Sequence, residues 1–275
     1  MDTNRAIAGF YFHRLLCRVF NDEDCRFILK GGQGMLAKTI DARYTRDIDL
    51  LAKGSDLQAA LAELEELASI DLGDHVRFEF EKASPIKLED EYRGGCTVTF
   101  SAWMGAKMVQ AVSIDLVVDL VEGVSAERVI PVDRVEVEGI RTVSYMVYGV
   151  EDALADKLFG IAEKHDGRHS SRVKDLVDTV IYASSCTIDG DALAAKLRRE
   201  SALRGVVLPV SFSVPIEWRE SYRPMFGKLY RQTGIDSEFR ELDSAEGLAK
   251  RLFDPILGSP VVVRKWSPSK LEWER

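Results

Sequence analysis

The chain has 275 residues, 46% of them hydrophobic and 30% charged, the composition of a soluble globular protein that can bury its core without staples. A net charge of -8 excludes nucleic-acid binding through a general positive field, so any such contact needs a local basic patch. The N-terminal stretch has Asp2 ahead of any basic residue and His13, Arg14 and Arg18 among its apolar residues, which excludes a signal peptide and a membrane span. Cys17, Cys25, Cys96 and Cys186 are scattered with no CxxC spacing, and point to reduced, structural thiols in a cytoplasmic protein.

Residues 5–20 carry Ile7, Phe10, Tyr11, Leu15 and Val19 near helical spacing. Phe27-Ile28-Leu29 predicts a short buried strand, Gly31-Gly32 a turn, and Met35-Leu36-Ala37 the start of a short helix. Asp47 to Leu51 is the next predicted strand. Residues 56–69 are good helix formers with Leu57, Leu61, Leu64 and Ala68 on one stripe. Val76, Phe78 and Phe80 alternate with Arg77, Glu79 and Glu81, as in a half-buried strand. Cys96 to Met104 and Ala111 to Val121 predict two strands joined at Met104-Gly105-Ala106. In the second, Ile114, Leu116, Val118 and Leu120 share one face and Ser113, Asp115, Val117 and Asp119 the other. One or two short strands fall in 129–146.

Near Val147 the period changes from 2 to 3.6. Val150, Leu154, Leu158 and Ile161 form the stripe of a helix over 150–165. Val173, Leu176, Val177, Val180 and Ile181 form that of a helix over 171–184. Further helices are predicted at 190–202, 216–232 and 244–257. Trp218, Tyr222, Phe226 and Tyr230 recur every four residues as a core stripe. Pro255, Pro260 and Pro268 with charged flanks predict a loosely structured C-terminus, and residues 203–275 are expected to cap the second lobe with helices. The expected organisation is α+β: a mixed lobe over 1–146, then a helical lobe over 147–275.

Asp47 and Asp49, at i and i+2 in an apolar run, fall on one strand face, and two such acids favour a divalent cation. The bland alternative is a strand end with acids paired to Arg43 and Arg46. Gly31 and Gly32 between a strand and a helix let backbone approach a phosphate, with Lys30 beside them, or else form a plain turn. Asp115, on the polar face of its strand, is placed to supply a third carboxylate as metal ligand or proton acceptor; Asp119 is its rival, and an exposed acid is the alternative. Lys157 lies off its apolar stripe, in line with Ala153, Gly160 and Lys164, where small residues would admit a triphosphate. Asp175 is one turn from Arg172, the spacing of an ion pair on a solvated face. Residues 164–174 are the densest basic stretch: Lys164, Arg168, Arg172 and Lys174 form a candidate RNA contact, or a solvated loop. His165 and His169 lack metal-ligand geometry, and Ser170 or Ser171 is read as a helix N-cap.

In this order the motifs resemble the AbiEii family of nucleotidyltransferase-like toxins, which includes the mycobacterial MenT toxins. The strings that carry the likeness are KGGQGMLAK (30–38), RYTRDIDL (43–50), SIDLVVDL (113–120), EDALADKL (151–158) and RVKDLVD (172–178). The run Gln33-Gly34-Met35-Leu36 departs from the small residue and Leu of many relatives. The resemblance implies a DNA-polymerase-β-like nucleotidyltransferase core, a mixed sheet with flanking helices, followed by a mainly helical lobe that completes the active site. It implies Mg²⁺ or Mn²⁺ and an NTP substrate. Several members are toxins of toxin–antitoxin or phage-defence pairs, and some extend the 3′ end of tRNA and so block translation. A cognate AbiEi-like antitoxin encoded nearby is then expected. By position, Asp47 and Asp49 would bind metal, Lys157 would hold the triphosphate, Asp175 would complete the site, and Arg43 and Thr45 would shape the pocket. The rival readings are transfer to a small-molecule or protein hydroxyl, as in antibiotic modification, and an inactive NTP-binding regulator.

Overall fold

Three buried apolar residues and a lysine, Phe27–Lys30, form β1, and a helix follows without an intervening turn. The computed structural model describes residues 3–22, 24–45, 47–54, 56–86, 93–119, 123–165, 167–258 and 265–274. Two compact units emerge: Met1–Ile40 with Thr45–Tyr148, and Asp41–Tyr44 with Gly149–Arg275.

In the first unit α1 (Thr3–Val19), β1, α2 (Gly31–Lys38), β2 (Ile48–Lys53) and α3 (Leu57–Ala68) come first. Then follow β3 (Val76–Pro85), β4 (Arg93–Met104), β5 (Lys107–Asp119), β6 (Ala126–Val129) and β7 (Tyr145–Tyr148). The strands make one seven-stranded sheet in the order β3-β4-β5-β2-β1-β7-β6. It is mixed: β2 runs parallel to β5 and β1 parallel to β7, while the other pairs are antiparallel. Ile48 and Leu50 of β2 and Ile114, Leu116 and Val118 of β5 point into a core shared with Leu15 and Leu16 of α1 and Leu64 of α3. Their strand neighbours Asp49 and Asp115 alternate to the opposite face. Asp56 caps α3 by accepting a hydrogen bond from the Ala59 amide at 3.0 Å.

A buried ionic triad ties α1 to the chain entering β3. Arg18 donates to both oxygens of Asp74 at 2.8 and 2.9 Å, and Arg14 Nε donates to Asp74 Oδ2 at 2.5 Å. Burial alone would push the Asp74 carboxyl up, but the two guanidinium groups hold it down at about 2.

The second unit contains α4 (Val150–Ala162), β8 (Lys164–His165), β9 (Arg168–His169), α5 (Val173–Ser185), β10 (Ile188–Asp189) and α6 (Gly190–Arg204). It continues with α7 (Trp218–Ser221), α8 (Arg223–Tyr230), a 3₁₀ turn (Ser237–Phe239), α9 (Leu242–Leu257), β11 (Lys265–Ser267) and β12 (Glu272–Glu274). The α+β expectation holds: a mixed sheet with flanking helices is followed along the chain by a mainly helical unit. Among the described residues no helix is long and apolar enough to cross a membrane.

Several expected boundaries move. The helix of α2 starts at Gly31 itself, so the glycine pair is its first turn. Asp47 lies in a bend just ahead of β2. The strands expected in 129–146 overlap only its two ends: β6 ends at Val129 and β7 starts at Tyr145. Pro131 and Gly139 lie between them and disfavour pairing. Leu120 and Val121, assigned to the end of β5, lie outside the described residues, as does Pro260. Helix α4 stops at Ala162, because Glu163 is extended and Lys164-His165 pair with Arg168-His169 around Gly167 at φ +76°. The helix expected over 216–232 breaks at Tyr222, where Pro224 lacks an N–H and its ring would clash with the preceding turn. Trp218, Phe226 and Tyr230 are buried as expected of a core stripe.

The described C-terminal residues, 242–258 and 265–274, form regular elements, contrary to the proline-based expectation. Pro255 sits in the last turn of α9, and β10, β11 and β12 form a three-stranded sheet. Trp266 is fully buried there and its Nε1 donates to the Ala183 carbonyl at 2.6 Å.

Candidate active site

In the first unit the candidate residues gather where β1 meets α2 beside β2 and β5. Lys30 is the cross-strand neighbour of Asp49, and Asp49 is the parallel neighbour of Asp115. Two carboxylates in register on adjacent strands, about 5 Å apart by sheet geometry, repel unless a cation lies between or beside them. Thr97 of β4 donates to Asp115 Oδ1 at 2.7 Å and fixes that carboxylate. Asp119 is in register with Lys53, four residues further along β5. Asp47 is exposed and Asp49 half-buried.

The glycine pair has a definite steric role. Gly31 adopts φ +62°, and a Cβ there would lie 1.8 Å from Asp49 Oδ2. At Gly32 a Cβ would lie 2.7 Å from Thr45 Cβ. The missing side chains thus admit Asp49 and Thr45 against the start of α2, a closer use than the phosphate turn read from the sequence. The α2 N-terminus has no side-chain cap, so its first N–H groups remain for a ligand or water. Lys30 Nζ sits 5.2 Å from the Tyr148 ring centroid, a cation–π contact. Gly31→Ala is therefore expected to cost about 1–2 kcal/mol for its left-handed backbone and to displace the Asp49 carboxylate. Thermal melting and activity assays on that variant check both effects.

Among the described residues no three His, Cys, Asp or Glu side chains are already gathered as a metal cluster. The donor set still suits a hard divalent cation. Asp47, Asp49 and Asp115 offer only carboxylate oxygens, from one end of β2 and the strand beside it.

In the second unit an alternating chain of charges runs through α4, α5 and the Asp41–Tyr44 segment. Arg43 grips Asp178 with Nε to Oδ1 at 2.8 Å and a second contact at 3.2 Å. Lys157 Nζ donates to Asp178 Oδ2 at 2.8 Å and lies 3.6 Å from Asp175. Arg172 Nε donates to Asp175 Oδ2 at 2.5 Å. Arg43, Lys157 and Arg172 thus share the carboxylates of Asp178 and Asp175. Burial alone would lower the Lys157 pKa, but Asp178 and Asp175 raise it above its usual value. Burial would raise Asp178, but Lys157 and Arg43 hold it below the usual carboxylate range. Lys157 is thus a fixed ammonium that donates to Asp178, with the Asp175 carboxylate 3.6 Å away as a second counter-charge.

Two sequence expectations are corrected here. Asp175 does pair with Arg172, but it is buried (1% exposed) and not on a solvated face. Gly160 is small because a Cβ would meet Asp175 Oδ2 at 2.8 Å and Arg172 Nε at 2.9 Å; its space serves the ion pair. Sequence reasoning assigned no role to Asp178, the residue that joins Arg43 to Lys157. Its signal was an acid embedded in the apolar run Leu176, Val177, Thr179, Val180, where burial demands a partner.

Lys164, Arg168 and Lys174 are exposed around the β8–β9 hairpin, and Arg172 keeps 46% of its side chain exposed while holding Asp175. Asp166 of this stretch lies outside the described residues. Ser170 accepts from the Arg172 amide at 3.1 Å and donates to the Gly160 carbonyl at 2.5 Å. The N-cap position of α5 is Arg172, so Ser170 braces the helix entry from two residues upstream.

A sequence model of the family described as nucleotidyl transferase AbiEii toxin, type IV TA system, matches residues 14–257. No curated protein matches the chain. Among solved structures, JHP933 from Helicobacter pylori is 16% identical over 93% of this chain and 94% of its own, with a TM-score of 0.48. A candidate nucleotidyltransferase from H. pylori is 15% identical over 94% of this chain and 97% of its own, with a TM-score of 0.49.

Proposed function

Because the chain belongs to the AbiEii family of nucleotidyl transferase toxins of type IV toxin–antitoxin systems, we propose that it transfers a nucleoside monophosphate from an NTP to an RNA. The acceptor we assign is the 3′ end of tRNA, whose modification would block translation. The observation that supports this most is the register of Asp49 with Asp115 beside the left-handed Gly31, which packs acids against an uncapped helix start.

Asp47, Asp49 and Asp115 are the residues we assign to hold Mg²⁺ or Mn²⁺. When bound, such an ion would lower the pKa of an attacking hydroxyl and neutralise the departing pyrophosphate. Lys30, Gly31, Gly32, Arg43 and Thr45 bind and orient the triphosphate. Lys157 offsets charge that develops on the phosphates. Asp175 and Asp178 hold Arg172, Lys157 and Arg43 in place. Asp115 also serves as the proton acceptor for the hydroxyl. Lys164, Arg168, Arg172 and Lys174 contact the RNA backbone. In this reading an AbiEi-like antitoxin restrains the reaction, and the enzyme works in the cytoplasm.

The acceptor is tested by supplying each labelled NTP with Mg²⁺ to total tRNA, to an aminoglycoside and to whole-cell protein. Label in tRNA alone supports the assignment. Label confined to the aminoglycoside or to protein overturns it. A positional check concerns Asp178. Asp178→Asn removes the anion between Arg43 and Lys157, while Asp175 still faces Lys157. The expected cost is about 2 kcal/mol of stability and a weaker NTP affinity, read by urea unfolding and by KM for the NTP. Asp178→Glu is expected to recover part of both.

A further inference from the structure

We propose that a hollow between α8 and the start of α9 binds a phosphate group of the acceptor RNA, a site that rests on the RNA reading above. The hollow encloses about 390 Å³. Three arginines from separate points of the chain line it: Arg223 opens α8, Arg231 closes it, and Arg240 follows the 3₁₀ turn. Glu241 is the one carboxylate in the lining. In a chain of net charge -8 this is a local inversion of sign.

The three guanidinium groups are not equivalent. Arg223 is anchored: its Nε donates to the Arg219 carbonyl at 2.9 Å and its Nη2 to Asp243 Oδ2 at 2.7 Å. Arg231 and Arg240 are exposed, and among the described residues neither makes an ion pair. Two guanidinium groups left without carboxylates beside a third held in position match a phosphate, which accepts paired N–H donors in one plane. The backbone adds to this. Leu242, the first residue of the sixteen-residue α9, lines the hollow, and that helix has no side-chain cap at its N-terminus. Its first N–H groups and the positive end of its dipole therefore favour an anion. Gly227 leaves the wall open, since the nearest atom to a Cβ there would be Arg231 Nη1 at 3.7 Å.

The same chemistry occurs in an NTP and, with carboxylates replacing phosphate, in an acidic polypeptide. The test separates them. Fluorescein-labelled total tRNA, a fluorescent ATP analogue and a labelled polyglutamate peptide are each titrated with the full chain and with the Arg231→Ala/Arg240→Ala variant, at several salt concentrations. The expected result is tRNA affinity weakened about tenfold in the variant, with the slope of log K against log salt reduced by about one to two. ATP and polyglutamate binding should not change. The Arg231→Lys/Arg240→Lys variant should fall between, because lysine keeps the charge and loses the paired geometry. Both positions are exposed, so circular dichroism of the variants should match that of the parent protein. Unchanged tRNA affinity in the alanine variant, with tRNA bound normally by the parent, overturns this site alone. A loss confined to ATP or to polyglutamate also overturns it. Failure of the parent to bind tRNA overturns the RNA acceptor and this site together.

Discussion

Asp49→Asn is expected to lower nucleotidyl transfer about a thousandfold while keeping the fold. Asparagine has the shape of aspartate, so it fits the space that Gly31 leaves beside β2. The change also removes one of two carboxylates that face each other in register across β2 and β5. What is lost is the anionic oxygen at the centre of the acid group. Asp49→Glu should fail as well, because one more methylene drives the carboxylate into the backbone of Gly31 and the start of α2. A steady-state assay of both variants, with melting curves alongside, checks the pair. Activity of Asp49→Asn within tenfold of the parent would remove Asp49 from the mechanism.

Asp74→Asn is expected to destabilise the first unit by about 3–5 kcal/mol, because it leaves Arg14 and Arg18 buried without their shared anion. The same carboxylate sets an acid limit on stability. In the folded chain its pKa is lowered to about 2, against an ordinary value of 3.8. A depressed carboxylate contributes stability that is complete above the unfolded pKa and is lost as pH falls through the folded one. The contribution, about 2 kcal/mol, is therefore whole above about pH 4 and drains away towards pH 2. Urea unfolding followed by hydrogen exchange in β3 and β4 should show this loss in the parent. In Asp74→Asn the dependence over that window should flatten.

The alternation of β5 and the acids of β2 were legible because a half-buried strand writes its two faces into the sequence directly. Ile114, Leu116 and Val118 went to the core and Asp115 to the other face, beside Asp49. The glycine pair was legible as a close approach, but not what approached, since β1–β2 pairing brings Asp49 to Gly31 and the loop ahead of β2 brings Thr45 to Gly32. Asp178 is the clearest omission. Its partners lie 21 and 135 positions earlier in the chain, and only the fold brings them together. The short strands among the described C-terminal residues were hidden for a similar reason. Strands of three residues carry almost no periodic signal, and Trp266 is held by a carbonyl 83 positions away. The break at Tyr222 was available from Pro224, and the aromatic stripe masked it.

The proposed reaction moves the α-phosphate of an NTP, with its nucleoside, onto RNA. Total tRNA incubated with the protein, Mg²⁺ and an NTP labelled either at the α or at the γ position tests it most directly. The expected result is that α label enters tRNA as an added 3′ nucleotide, and that γ label leaves as pyrophosphate. Entry of γ label into the acceptor, or an absence of α label from tRNA with every NTP, would contradict it.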